Sequence, residues 1–238
     1  MNIVCIVQAR VGSTRLPEKV LKKICGKTVL ELDINRLRKI KNINEIIIAT
    51  TTLERDNKIV EECKKINVKF FRGSEENVLE RYYYAAKENN ADIVVRITSD
   101  CPLIDSKISE EIIQFYLDNI ERYDYISNTI DRTYPRGLDT EVFSFKSLEK
   151  SIKEATLDRD KEHVTPYIWD NPKKFRVGQY KNKIDYSSLR WTLDTLEDFQ
   201  LIKKIYEELY KNKKDFEFDD IVKLFQRKPE LKNIKIHI

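Results

Sequence analysis

The chain opens on Ile3-Val4-Cys5-Ile6-Val7, which runs straight into Gln8-Ala9-Arg10-Val11-Gly12-Ser13-Thr14-Arg15-Leu16-Pro17-Glu18-Lys19. Five consecutive apolar residues predict a strand buried on both faces, as in a parallel sheet. The polar turn after it carries one Gly, two hydroxyl residues and the cations Arg10, Arg15 and Lys19. Open α/β sheets bind ligands where strands end in such loops. Gly12 lets backbone approach a ligand, and Ser13 and Thr14 place hydroxyls beside main-chain N–H groups. Three cations exceed what one carboxylate requires, so the loop suits a nucleoside triphosphate. Alone it is a modest signal, because turns carry Gly, Ser and cations for geometry and solubility. It is not G-x-G-x-x-G. It is not a Walker A loop either: Gly26-Lys27-Thr28 has the right tail, but Leu21 stands where that pattern needs Gly. Gly26-Lys27 reads as a turn and Thr28-x-x-Glu31 as a capping box.

Outward from this strand, apolar runs at 3–7, 46–50, 68–71 and 93–98 alternate with helical patterns at 29–40, 56–66 and 76–89. That β-α alternation predicts an α/β fold with a mostly parallel, Rossmann-like central sheet and helices on both faces. Right-handed crossovers then align the strand C-terminal ends along one edge. Further helices are predicted at 105–120, 146–155, 161–169, 195–211 and 218–227, and strands at 140–145 and near 175–180. No repeat, linker or low-complexity stretch interrupts the chain. One domain over 1–238 is the simplest reading, with a less regular acceptor or dimerisation region around 124–185.

Composition narrows the function classes. The 238 residues are 41% hydrophobic and 35% charged, yet the net charge is only +4, too small and scattered for a nucleic-acid surface. Cys5, Cys25, Cys63 and Cys101 show no C-x-x-C spacing, and with two His a structural zinc site is not expected. The first apolar run is too short for a signal peptide or membrane span. These features predict reduced thiols, a cytoplasmic protein and no membrane partner.

Two acidic turns complement the basic loop. In Arg96-Ile97-Thr98-Ser99-Asp100-Cys101-Pro102 a buried strand ends and Asp100 follows on the same sheet edge as the loop at 8–19. Asp105 is the natural cap of the next helix, which leaves Asp100 free to hold Mg²⁺ beside a triphosphate. In Arg190-Trp191-Thr192-Leu193-Asp194-Thr195-Leu196-Glu197-Asp198, Asp194 sits between a short predicted strand and a helix. Thr195-x-x-Asp198 offers that helix its own cap. Asp100 and Asp194, from distant segments, would hold one or two Mg²⁺ ions that polarise the α-phosphorus. The Tyr82-Tyr83-Tyr84 run reads as helix packing rather than a base-stacking platform. His163 reads as an acceptor contact or a satisfied structural side chain. The Asp158-Arg159-Asp160 pattern, in a charged helical context, is a weak basis for a glycosyltransferase. A nucleotide-binding module without turnover would not need the Lys19, Asp100 and Asp194 set.

Gln8-Ala9-Arg10-x-Gly12-Ser13-Thr14-Arg15-Leu16-Pro17-x-Lys19 resembles the nucleotide loop of sugar-acid cytidylyltransferases. Matching stretches recur in order: Phe71-Arg72-Gly73-Ser74-Glu75, Val78-Leu79-x-Arg81-Tyr82, Ser99 to Asp105, Tyr134 to Glu141, Glu162-His163-Val164-Thr165-Pro166-Tyr167 and Leu189 to Thr195. The chain is most similar to the spore-coat polysaccharide biosynthesis cytidylyltransferase family, related to acylneuraminate and ketodeoxyoctonate cytidylyltransferases. Lys161 stands where relatives often carry Arg. The resemblance implies a nucleotide-diphospho-sugar transferase fold that passes CMP from CTP to a sugar or sugar acid for surface polysaccharide, with Mg²⁺. It implies Arg15, Lys19, Asp100 and Asp194 as catalytic residues, with the two Asp on the metal. Gln8, Ala9, Arg10, Gly12, Ser13, Thr14, Arg15, Lys19 and Ser99 would hold the nucleotide, with Gly73, Ser74 and Arg81 near base and ribose. Tyr134, Arg136, Asp139, Glu141, His163 and Arg190 would face the acceptor. A homodimer is a further expectation, since relatives are often dimers.

Overall fold

The opening apolar run forms β1 (Ile3–Gln8), whose first five residues are all buried. A strand apolar on both faces needs cover on both, and β1 accordingly takes the middle of a parallel group. The structure, a computed structural model, describes residues 1–233. After β1 come β2 (Lys23–Ile24), β3 (Lys27–Thr28), α1 (Val29–Leu37), β4 (Glu45–Thr51), α2 (Asn57–Lys65), β5 (Lys69–Gly73), α3 (Val78–Glu88) and β6 (Ile93–Thr98). The second half adds α4 (Ser106–Asp118), β7 (Tyr125–Ser127), β8 (Glu141–Ser144), α5 (Phe145–Glu154), α6 (Asp158–His163), α7 (Pro166–Trp169), β9 (Val177–Gln179), α8 (Leu196–Leu209) and α9 (Phe218–Arg227). The seven-stranded sheet runs β5-β4-β1-β6-β8-β7-β9. β8 is antiparallel to both neighbours and the other pairings are parallel. This is the mostly parallel Rossmann-like class expected from the alternation.

The period of two along β1 divides the core. Ile3, Cys5 and Val7 pack with apolar residues of α1, α4, α8 and α9, while Val4 and Ile6 pack with α3, α5 and α7. The Tyr82 hydroxyl reaches through the second layer to the Ile6 and Ile97 carbonyls, and Tyr84 lies exposed, as a packing role for that run requires. All four cysteines are free thiols. Among the described residues no helix is long and apolar enough to cross a membrane.

Local geometry departs from the pattern reading at four places. The helix expected over 161–169 breaks in two at Val164, which takes φ 72 and ψ −53. Cys25 and Gly26 adopt φ 50 and φ 82, so the turn at 25–26 closes a small hairpin of β2 on β3. Thr28 caps α1 by accepting from Glu31 N at 3.1 Å, but Glu31 does not reciprocate and pairs with Lys27 at 2.6 Å. The short strand expected before Asp194 is a single bridge between Arg136 and Arg190.

Candidate active site

Parallel pairing in the register Gln8↔Thr98 sets the C-terminal ends of β1 and β6 side by side. Ser99 N donates to the Gln8 carbonyl at 3.2 Å, so the loop at 8–19 and the turn at 99–102 leave the sheet at one edge. The loop is pinned from β4 and its connection to α2: Val11 N donates to Asp56 Oδ1 at 2.7 Å, and Asp56 Oδ2 accepts from the Thr51 hydroxyl. Glu18, at φ 55, turns the chain into the short 3₁₀ segment Lys19–Leu21.

The third segment arrives from the end of the chain. Residues 189–193 run beside 134–138, with Arg136 N bonded to the Leu189 carbonyl at 3.0 Å and Trp191 N to the Arg136 carbonyl at 2.7 Å. Gly137, at φ 103, permits this approach; a Cβ there would lie 2.7 Å from the Trp191 carbonyl carbon. Leu193 N then donates to the Asp100 carbonyl at 2.7 Å, which places Asp194 next to Asp100. The following helix is capped by Thr195 and Asp198 reciprocally, so Asp194 is not spent on capping. Asp105 likewise caps α4, accepting from Lys107 N at 2.9 Å and Ile108 N at 3.0 Å.

Lys19 closes the arrangement. Its ammonium donates to Asp194 Oδ1 at 2.9 Å, the Leu193 carbonyl at 2.8 Å and Asp100 Oδ2 at 3.2 Å. Asp194 also accepts from Arg190 at 2.5 Å and lies 3.2 Å from Arg15. Burial would lower the Lys19 ammonium's pKa, but the two carboxylates outweigh it and hold the value above the ordinary one. Burial would raise Asp194, and Lys19, Arg190 and Arg15 together bring it below the usual carboxylate range. Beneath them Asp33 on α1 is fully buried with neither carboxylate oxygen hydrogen-bonded. Burial, and then the charge of Asp100, push its pKa well above the ordinary value.

These segments enclose a cavity of about 460 Å³ at the sheet edge. Gln8, Ala9, Arg10, Gly12, Ser13, Thr14, Arg15, Lys19, Arg81, Ser99, Asp100, His163 and Asp194 line it. Gly73 and Ser74 stand behind Arg81 instead: the Ser74 carbonyl accepts from Arg81 at 2.6 Å, and its hydroxyl accepts from Asn77 N at 3.0 Å. The other acceptor-side residues are not on this wall. Tyr134 is buried against Tyr180 and Phe218, beside a separate cavity of about 240 Å³. Asp139 pairs with Arg132 at 3.0 Å, and the exposed Arg136 contributes backbone. Glu141 is enclosed by Arg96, Tyr125 and Thr165, and Arg190 braces Asp194 and, at 3.7 Å, Asp198. The Asp158-Arg159-Asp160 stretch lies on α6 off the wall.

Val20, Val78, Arg96, Thr98 and Glu162 also line the cavity without having been singled out as site residues. For Arg96 the signal was available: a guanidinium between Val95 and Ile97, in a strand otherwise buried, needs a partner or a ligand. Its partners are Glu141 and, at 3.1 Å, Gln8 Oε1, and its Nε has none.

What the arrangement offers is a cationic loop facing two carboxylates and a carbonyl already gathered around one positive charge. The oxygen-only donor set fits Mg²⁺, which binds through one or two carboxylates and completes its shell with water and phosphate oxygens. Among the described residues no group of three or more acidic, His or Cys side chains is preassembled to hold a metal alone.

The chain is similar to known proteins along nearly its whole length. An uncharacterized protein of Methanocaldococcus jannaschii is 40% identical over 243 residues, covering 100% of this chain and 96% of its own. The spore coat polysaccharide biosynthesis protein SpsF of Bacillus subtilis is 32% identical, with 96% of each chain covered. A cytidylyltransferase structure from Leptospira borgpetersenii serovar Hardjo-bovis superposes with a TM-score of 0.94 at 36% identity, covering 100% of both chains. The cytidylyltransferase family model matches residues 4–236, and the chain belongs to that family of nucleotidyltransferases.

Proposed function

We propose that this chain transfers CMP from CTP to an oxygen of a sugar or sugar acid, releasing pyrophosphate, with Mg²⁺ as cofactor. The observation that carries the reading is Lys19 held between Asp100 and Asp194 at the mouth of the cationic loop. The name of the Bacillus subtilis relative supports a product destined for a surface polysaccharide. In this reading the chain works as one nucleotidyltransferase domain in the cytoplasm.

The acceptor oxygen forms a bond to the α-phosphorus while the bond to the β-phosphate oxygen breaks, and the acceptor proton leaves to solvent. Arg10, Arg15 and Lys19, with the backbone and hydroxyls of Gly12, Ser13 and Thr14, bind and orient the triphosphate and neutralise the leaving pyrophosphate. In the same reading Arg81, on the cavity wall, contacts the base and ribose. Asp100 and Asp194 would hold Mg²⁺, which when bound supplies charge neutralisation at the reacting phosphate. For that cation to take both carboxylates, the Lys19 ammonium must turn from them, and the phosphates give it a new anionic partner.

Titration calorimetry with CTP, GTP, UTP and ATP, each with Mg²⁺, tests the reading. Selective binding of CTP is expected. Equal affinity for all four, or no binding to a folded sample, would refute it.

A further inference from the structure

Among non-glycine residues with positive φ in the described chain, Val164 is the only β-branched one. At φ 72 and ψ −53 it forms a γ-turn, with Thr165 N donating to the His163 carbonyl at 2.9 Å. Such backbone strain is retained where the surroundings over-determine it, and it concentrates at ligand sites. Here Val164 is fully buried, its N–H donates to the Asp160 carbonyl at 3.0 Å, and the Thr165 hydroxyl donates to Glu141 Oε2 at 2.5 Å. Glu141 also accepts from the Tyr125 hydroxyl at 2.7 Å and from Arg96, whose other terminal nitrogen reaches Gln8 at 3.1 Å. A chain of buried polar contacts therefore ties the strained turn to the triphosphate loop. What the turn presents to the cavity is Glu162 and His163.

The charge of Glu162 is out of keeping with its surroundings. The wall carries Arg10, Arg15, Lys19, Arg81 and Arg96, and its other two carboxylates, Asp100 and Asp194, are engaged with Lys19. The Glu162 side chain, exposed at the cavity wall, makes no hydrogen bond or ion pair among the described residues. An unpaired carboxylate repels phosphate and attracts hydrogen-bond donors. We propose that Glu162, held by the Val164 turn, is a specificity residue for the acceptor: it accepts from hydroxyl or ammonium groups and rejects an anionic group at that point. This rests on the nucleotidyl-transfer reading. The acceptor is then a sugar that turns a polyhydroxylated or amino-bearing face to Glu162, with any carboxylate or phosphate of its own directed to the arginine side.

The test is pyrophosphate release with Mg²⁺ and CTP across a panel of neutral sugars, amino sugars, sugar acids and sugar phosphates, for wild type, Glu162→Gln, Glu162→Arg and Val164→Gly. For the preferred acceptor, both Glu162 variants should raise the acceptor KM about ten- to hundredfold, the size of a lost charge-assisted hydrogen bond. The KM for CTP should stay within about twofold. Val164→Gly takes the same φ without strain and frees the pair, so it should raise the acceptor KM while leaving that of CTP unchanged. Glu162→Arg should also shift the panel toward acids and phosphates. A CTP KM that moves as much as the acceptor KM, or a panel order unaltered by Glu162→Arg, overturns the proposal. So does the absence of turnover with every acceptor in a wild type that binds CTP. Failure of the wild type to bind CTP is the separate result that overturns the nucleotide reading itself.

Discussion

Replacing Asp33 by leucine is expected to stabilise the protein, although Asp33 lies beneath the candidate site. Its carboxyl is fully buried and neither oxygen has a partner. An unsatisfied buried polar group costs about 1–3 kcal/mol. A buried leucine contributes about 1.5–3 kcal/mol, and repacking a close-packed core around it gives back about 1–3 kcal/mol. The net gain is about 2 kcal/mol, or a Tm rise of about 4–8 °C for a chain of this size. pH supplies a sharper signature. The folded carboxyl titrates well above its ordinary value of 3.8, because burial and Asp100 oppose the charge more than Arg36 and Lys19 favour it. Between 3.8 and that raised value the unfolded chain releases the proton and the folded chain keeps it, so this group's contribution falls as pH rises. The slope is about 1.4 kcal/mol per pH unit within that window. Leucine has no such slope, so the advantage of Asp33→Leu should widen from acid toward neutral pH. Asp33→Asn should remove the slope while leaving an unsatisfied polar group. Urea denaturation of the three proteins at a series of pH values measures both effects. A leucine variant less stable than wild type at neutral pH, or an advantage that narrows as pH rises, would show that Asp33 is not an unsatisfied, proton-holding carboxyl.

Three further outcomes follow from the same geometry. Glu141→Gln leaves the Arg96 charge buried without its counter-ion and should cost roughly 3–5 kcal/mol in chemical denaturation. Gly137→Ala, at φ 103 and with its Cβ driven against the Trp191 carbonyl, should cost roughly 1–3 kcal/mol in strain alone and reduce turnover by displacing Asp194. Lys19→Met removes the main charge that holds the Asp194 pKa down. A depressed carboxylate stabilises above its unfolded value and loses that contribution as pH falls through the folded one. Acid unfolding of the variant, followed by circular dichroism, should therefore begin at higher pH, and CTP turnover should drop by roughly a hundredfold or more.

The parallel sheet was legible because β1 is apolar on both faces, and the edge that carries the candidate site because β1 and β6 end in polar turns. Asp100 and Asp194 could be paired from sequence because Asp105 and Thr195 were visible as the better caps. What escaped was geometry created by long-range backbone contacts. Nothing in the local pattern at 161–169 says that Val164 takes a positive φ, since the Thr165 bond to Glu141 that holds it comes from a distant strand. Tyr134 and Glu141 share a stretch with the glycine that lets 189–193 approach, and that stretch shapes the site from behind while their side chains pack elsewhere. Asp33 carried no signal in the sequence, because its isolation comes from burial that only the packed fold creates.

In the proposed reading, Asp100 and Asp194 form the Mg²⁺-dependent half of a CTP site. The most direct measurement is thermal stabilisation of wild type and Asp100→Asn by CTP, with and without Mg²⁺. A ligand that binds only the native state at about a hundred times its Kd adds about 2.7 kcal/mol. Stabilisation of that order is expected for wild type with CTP and Mg²⁺, with the Mg²⁺-dependent part lost in Asp100→Asn while the unliganded Tm stays close to that of wild type. Equal Mg²⁺-dependent stabilisation of both proteins would rule out that role for Asp100.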